Sequence, residues 1–249
     1  MLRYHMEINY KQRFIHFKKG TVVLAGAGPG CKELITLKVY SALREADIII
    51  YDALVNEELL NLSNKSSQHI FAGKISKKKA CSQKDINEWM VYYARKNKKV
   101  LRLKGGDPSF FSRGSQEIKF LIKSKIKYQV FSGISSSQQA IKKANLNFFM
   151  SNGICNFITG HRKIIDEQKV SDINKIFHNK GKIIVYMGIG QIKKISGELI
   201  DLGMSKKTNV TVVSKTSFSS ERIILSDLSN IAKQIIKHRI LPPSIIIIN

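Results

Sequence analysis

The chain is poor in the residues that staple or punctuate a protein. Its three cysteines, Cys31, Cys81 and Cys155, lie far apart with no CxxC spacing. That excludes a disulfide framework and a cysteine-based zinc site, so no metal is expected, and it fits a reducing compartment. Four prolines and 16 glycines in 249 residues leave little room for long flexible linkers. No apolar run approaches the roughly 20 residues that a membrane helix needs; runs such as Ile48–Tyr51 and Ile245–Ile248 are strand-length. Met1–Gly20 is basic and has no apolar signal core, so it is expected to be an N-terminal extension, or to precede a start at Met6, rather than a secretory peptide. The expected location is the cytoplasm, with no membrane partner.

Acidic residues are also scarce. Asp and Glu number 18 against 42 Lys and Arg, a net charge of +24. A surface of that sign is the electrostatic footprint of a nucleic-acid binder. Two observations argue against that reading. The chain has 33 Lys to 9 Arg and 36 Ile to 18 Leu, a skew that A/T-rich codons produce and that scatters lysine everywhere. The lysines form no single stripe with interleaved aromatics, as a single-strand binder would need. No nucleic-acid partner is expected, but the field favours capture of anionic ligands.

What is present is an alternation of β-branched runs and amphipathic stretches. Strands are expected at Thr21–Gly26, Ile48–Tyr51, Val100–Lys104 and Tyr128–Phe131, with a short one at Ile70–Ala72. Later strands are Cys155–Thr159, Lys182–Met187, Val210–Ser214, Ile223–Leu225 and Ser244–Ile248. Helices are expected at Glu33–Asp47, Gly114–Lys125, Ile134–Ala144, Ile192–Leu202 and Leu228–His238. Another follows Ser82, where Ser82-Gln83-Lys84-Asp85 reads as a capping box. The pattern is that of an α/β protein with helices covering its sheets. The expected organisation is a basic extension over 1–20, an N-terminal α/β domain over 21–133 and a C-terminal α/β domain over 134–249. Their cleft would hold the ligand.

The loops after the strands carry the chemistry. Gly26-Ala27-Gly28-Pro29-Gly30 is not a dinucleotide fingerprint: Cys31 stands where GxGxxG needs glycine, and Pro29 lacks the amide a pyrophosphate would use. Asp52 ends a strand, where a carboxylate serves either as a base or as a cap for the following segment. Val100–Gly114 is the decisive stretch. Its Gly105 and Gly106 let a bulky ligand lie against bare backbone, and Asp107 can accept hydrogen bonds from hydroxyls or an amine.

At these residues the sequence resembles the uroporphyrinogen-III C-methyltransferases, the S-adenosylmethionine-dependent branch of the tetrapyrrole methylases. Eight segments carry the resemblance in order: GAGPGCKELITLK from Gly26, YDALV from Tyr51, Gly73-Lys74, SQKDIN from Ser82, VLRLKGGDPSFFSRG from Val100, SGIS from Ser132, TGH from Thr159 and VYMG from Val185. It implies the two-domain fold of the class III methyltransferases, a homodimer, and S-adenosylmethionine in the interdomain cleft. It also implies two methyl transfers to uroporphyrinogen III, giving precorrin-2 for sirohaem or cobalamin synthesis. Pro29, Gly105, Gly106, Asp107, Phe110, Ser135, Ser136 and Met187 would bind the cofactor. Thr216 would bring a side chain where the family has a cofactor-facing glycine. Asp52 would be the proton acceptor and Lys74 the proton donor. Arg102, Arg113 and Arg162 lie near cleft loops and would suit a substrate with eight carboxylates. Departures include Cys31 for aspartate, Ser112 for glycine, Ser132 for proline, and an Ala144–Asn152 stretch without the family pattern. The alternative is another precorrin methyltransferase, which would share the GDP core but not the full RLKGGDP context.

Overall fold

The computed structural model describes residues 17–76, 79–144, 153–160, 173–179 and 181–249. Two five-stranded sheets organise them. The first contains β1 (Thr21–Gly26), β2 (Ile48–Tyr51), β3 (Gln68–Phe71), β6 (Val100–Lys104) and β7 (Lys127–Phe131), in the order β3-β2-β6-β1-β7. Every pairing in it is parallel. A small hairpin, β4 (Lys74–Ser76) with β5 (Lys79–Ala80), lies outside that sheet.

The alternation of side chains along each strand explains the layers. Val23, Ala25, Ile49, Leu101 and Leu103 pack with Val39, Ala42 and Leu43 of helix α1 (Leu37–Glu45). Val22, Leu24, Ile48, Ile50 and Val100 point the other way, onto Ile86, Met90 and Ala94 of α2 (Gln83–Arg95) and Leu121 of α3 (Gly114–Lys123). At β1 and β2 both faces are covered, which is why these strands read as continuous apolar runs. The chain leaves β1 toward α1 on one face and leaves β6 toward α3 on the other. The loops after β1 and β6 therefore sit at a topological switch point, where open α/β sheets bind ligands.

The second sheet is mixed: β8 (Cys155–Thr159), β9 (Lys182–Tyr186), β10 (Asn209–Ser214), β11 (Arg222–Asp227) and β12 (Ser244–Ile248), in the order β11-β10-β12-β9-β8. β12 runs antiparallel to both β9 and β10. Its four isoleucines alternate: Ile246 and Ile248 meet α5 (Ile173–His178), α6 (Ile192–Asp201) and α7 (Ile231–Lys237), while Ile245 and Ile247 face Ala140 of α4 (Ser136–Lys143). Helix α4 precedes the second sheet in sequence yet covers its inner face.

The strand expectations agree with these elements to within a few residues. The helix expected over 33–47 is divided. Lys32–Leu34 forms a 3-10 turn, and α1 starts after Thr36, whose hydroxyl accepts from the Val39 amide at 3.4 Å. Thr36 satisfies an orphan amide of the first turn and so fixes the start. The capping box at Ser82 is present: the Ser82 amide donates to Asp85 Oδ2 at 2.8 Å and the Asp85 amide to Ser82 Oγ at 3.1 Å. α5 was not anticipated, and residues 145–152 lie outside the described residues.

Three glycines meet where β1, β6 and β7 end. A Cβ on Gly133 would lie 2.3 Å from the Gly106 carbonyl oxygen and 2.6 Å from that of Gly26, whereas one on Gly197, inside α6, would meet no atom within 4 Å. Gly197→Ala should therefore raise the unfolding free energy by about 0.5–1 kcal/mol through lower chain entropy. Gly133→Ala should lower it by about 1–3 kcal/mol through overpacking. Urea unfolding of the two variants checks both, and shifts of the same sign would contradict this packing.

Candidate active site

Because the first sheet is wholly parallel, the carboxyl ends of its strands converge on one edge. The Ala27 amide donates to the Lys104 carbonyl at 2.7 Å, and Gly28 and Gly106 exchange two amide hydrogen bonds of 3.2 and 2.7 Å. Gly28 and Gly106 have φ of +78° and +70°, the left-handed region that glycine enters without a Cβ penalty. Asp107 fastens this arrangement. Its Oδ2 accepts from the Gly133 amide at 2.9 Å, and its Oδ1 accepts from the Ser109 amide at 2.7 Å and from the Ser109 hydroxyl.

The second sheet contributes the opposing wall. Ser214 pairs with Ser244, and Tyr186 with Ile245. The residues before β12 thus stand beside the loops that follow β9 and β10. Between the two halves lies a cavity of about 740 Å³, within the size range of small-molecule sites. Pro29, Ala53, Leu54 and Ser136 line it from one side; Gly160, Tyr186, Met187, Ile189–Gln191, Val213, Thr216 and Pro242–Ile245 line it from the other. None of these residues is an acid, a lysine or an arginine.

Four of the expected cofactor residues, Pro29, Ser136, Met187 and Thr216, are on this wall. Gly105, Gly106 and Asp107 are not; they belong to the loop that joins the strand ends. Ser135 is buried, and its hydroxyl is 2.5 Å from the Tyr186 hydroxyl, a tie between the start of α4 and β9. Phe110 is exposed and stacks on Tyr186, with ring centroids 6.2 Å apart, and meets Phe157 edge-on at 5.6 Å. The Thr216 hydroxyl is buried without a hydrogen-bond partner among the described residues.

Asp52 immediately precedes the wall residues Ala53 and Leu54. Its Oδ1 accepts from the Leu54 amide at 3.0 Å and from the Gly105 amide at 3.4 Å. It forms an Asx turn, while Asn56 caps the following 3-10 turn at Glu57–Leu62. Lys74 opens β4, and the position of its side chain lies outside the described residues.

The arginine expectation needs a correction. Arg102 does not face the cleft: it is 3% exposed, because it lies on the face of β6 that α2 and α3 cover. Its Nε donates to Glu117 Oε1 at 3.2 Å, and its Nη1 donates to the carbonyls of Leu103 at 3.0 Å and Ile50 at 3.3 Å. Lys104 Nζ donates to both Glu117 oxygens at 3.1 and 3.0 Å, and Gln83 Nε2 to Oε1 at 3.1 Å. Burial alone would raise the Glu117 carboxyl, but the Arg102 guanidinium and Lys104 ammonium outweigh it and hold the group below the ordinary glutamate value. Arg113 is exposed ahead of α3, and Arg162 lies outside the described residues.

The sequence pattern of the Tetrapyrrole (Corrin/Porphyrin) Methylases matches residues 21–232. The chain belongs to this family. It is 36% identical over 232 residues, 92% of this chain and 95% of the relative, to the uroporphyrinogen-III C-methyltransferase of Methanocaldococcus jannaschii. It is 34% identical over 235 residues to the siroheme synthase of Acinetobacter baylyi, matching 92% of this chain and 50% of that longer protein. Among solved structures, the uroporphyrin-III C-methyl transferase of Thermus thermophilus complexed with S-adenyl homocysteine superposes with a TM-score of 0.76. The match is 30% identical and covers 92% of this chain and 97% of that one.

Sequence reasoning for this tetrapyrrole methylase missed Tyr186, Ala53, Leu54, Ile189–Gln191 and Pro242–Ile245. The rule that ligands gather at strand carboxyl ends does not reach Pro242 and Pro243, which precede an antiparallel strand. It also missed Glu117, which reads as an ordinary charge in the first turn of a helix.

Glu117 supplies a pH test. Its depressed folded value means that its stabilising contribution is complete above the unfolded glutamate value, about 4.3, and is lost as pH falls through the folded value. Glu117→Gln leaves two buried cations without their counter-charge and should cost about 3–5 kcal/mol near neutral pH. Urea unfolding at a series of acidifying pH values should show the gap to wild type closing. A gap independent of pH would refute the role.

Proposed function

We propose that this tetrapyrrole methylase is an S-adenosylmethionine-dependent C-methyltransferase that converts uroporphyrinogen III to precorrin-2 by two successive methyl transfers. Its product would enter sirohaem or cobalamin synthesis. The observation that carries the reading is the cavity of about 740 Å³ between the halves, whose lining among the described residues is uncharged and includes Pro29, Ser136, Met187 and Thr216. These residues fit the cofactor. The lack of lysine and arginine among the described wall residues suits a sulfonium compound that carries no phosphate. The orphaned Thr216 hydroxyl offers a polar group that a ligand can satisfy. When bound, S-adenosylmethionine supplies an electrophilic methyl group. Pro29, Ser136, Met187 and Thr216 would hold it, and the loop built on Gly105, Gly106, Asp107, Phe110 and Ser135 would keep the wall in register.

The chain's own contribution is alignment and proton handling. A pyrrole carbon that has gained a methyl group must shed a proton from the ring system. Asp52 takes that proton as general base. Its Oδ1 already accepts two amides, so Oδ2 is the oxygen with free acceptor capacity. Lys74 would be the proton donor; because each methyl transfer releases one proton overall, any proton it gives to the ring is matched by a further one leaving to solvent. The two sheets support a division into domains at about 133/134, since the strands of the first sheet end at Phe131 and those of the second start at Cys155. The protein acts in the cytoplasm as a homodimer; Leu225 on edge strand β11 and Ile236 on α7, 71% and 77% exposed, offer apolar surface for a second copy. No helix among the described residues is long and apolar enough to cross a membrane.

Incubation of the protein with S-adenosylmethionine and anaerobic uroporphyrinogen III should yield a dimethylated product by absorbance and mass. Turnover of a later corrin precursor in its place would favour a precorrin methyltransferase. Asp52→Asn, which keeps an oxygen for the Leu54 amide, should retain S-adenosylhomocysteine binding by calorimetry. It should lose roughly 100-fold or more in turnover. Unchanged turnover would remove Asp52 from the mechanism.

A further inference from the structure

The buried charges behind Asp52 are arranged for more than stability. Arg102 and Lys104 project from one face of β6, two residues apart, and Glu117 in the first turn of α3 lies over that face. The side chains of Arg102, Lys104 and Glu117 are 4%, 6% and 0% exposed, and Asp52 is 24% exposed. Two cations and one carboxylate leave an excess positive charge in the interior. Asp52 is the group that balances it: its Oδ2 lies 3.6 Å from Arg102 Nη2. Two carbonyls and Glu117 consume the other faces of the guanidinium, so it has one orientation, and in that orientation Nη2 points at Asp52. Strand register reinforces this. Ile50 is paired with Arg102 and Tyr51 with Leu103, which places Asp52 beside the end of β6.

A buried ion cluster adds little stability over well-packed apolar residues. What apolar residues cannot do is present a fixed positive charge to the partly exposed carboxylate at the cavity's edge. We propose that Arg102, locked in place by Glu117 and Lys104, is the positioning residue for Asp52: it holds the Oδ2 edge of the carboxylate in the orientation in which it meets substrate. The proposal rests on the methyltransferase reading and on Asp52 as its base. The other groups facing this cluster are Gln83, hydrogen-bonded to Glu117, and the Cys81 thiol, which feels the Arg102 charge.

The test is a double-mutant cycle on the full chain. Arg102→Lys keeps the buried charge but not the planar fork. It should lower kcat roughly 10- to 100-fold. The KM for uroporphyrinogen III and the calorimetric Kd for S-adenosylhomocysteine should stay within about twofold, since neither depends on the base. In an Asp52→Glu background, where the carboxylate is already displaced, the same substitution should change kcat by less than about twofold. Equal losses in both backgrounds, or a loss of affinity with kcat unchanged, would overturn the proposal and leave Arg102 a structural ion. Should Arg102→Lys not fold, Glu117→Asp keeps every charge, shifts the anchor by one methylene and has the same expected outcomes. A wild-type protein that binds no S-adenosylhomocysteine would refute the methyltransferase reading itself, and this proposal with it. Wild-type turnover with additive losses would refute the positioning role alone.

Discussion

The contact of bare backbone at Gly26, Gly106 and Gly133 holds the ends of three strands closer than any side chain would permit. A Cβ on Gly26 would lie only 2.5 Å from Gly106 O, and one on Gly133 only 2.3 Å. Because the strand ends touch, Asp107 can bridge from the β6 loop to the Gly133 amide with one carboxylate oxygen. Because the β1 loop is thereby held down, Pro29 becomes part of the cavity wall, and Gly30 packs against the Thr216–Ser217 backbone and the Phe218 ring of the other half. A Cβ at Gly30 would come within 2.8 Å of the Thr216 carbonyl, so the same lack of side chains sets the distance between the halves.

Polar ties also hold α4 to the second sheet and to the loop after β10. Ser135 meets the Tyr186 hydroxyl, and Lys143 lies 3.4 Å from Glu221, whose other oxygen accepts from the Ser217 amide at 2.7 Å. The second of these ties orders the loop that presents Thr216. The cavity is therefore largely preformed, as ligand sites of this size usually are. Its uncharged wall and the charge-dense interior beneath Asp52 are separate environments a few residues apart. Among the described residues the wall offers a ligand no charged partner, while at its edge the Asp52 carboxylate lies 3.6 Å from the buried Arg102 guanidinium. The net charge of +24 contributes only the long-range attraction for an anionic substrate, which salt screens.

Much of the fold was legible residue by residue. The strands β1, β2, β6 and β12 coincide with the expected ones because they are central in their sheets and buried along nearly their whole length, whereas β8 matches as an edge strand with Ile158 buried. Capping chemistry located α2 through Ser82 and Asp85. It would also have located α1, had Thr36 been preferred over the helical spacing of Leu34 and Leu37. The candidate site was legible in part. Pro29, Ser136, Met187 and Thr216 reach the wall, whereas Asp107 and Ser135, expected to meet a ligand, have polar atoms engaged by the protein's own Gly133, Ser109 and Tyr186. Arg102 was misplaced because strand periodicity does not reveal which face a later helix will cover.

By itself, the sequence determined the local terms. Runs of Val and Ile make two-sided strands, Ser and Thr hydroxyls start helices, and glycines mark where backbone must approach backbone. It also determined the family, since eight ordered segments preserve those local terms together. Tertiary structure alone decided which groups meet across distance. It turned β12 antiparallel, so that Pro242 and Pro243 stand beside Met187. It laid Glu117 over β6, so that Arg102 and Lys104 became an interior charge cluster and not a surface for carboxylates. The reason is that hydrogen bonds and ion pairs act over about 3 Å, and only the packing of sheets and helices brings residues many positions apart within that range.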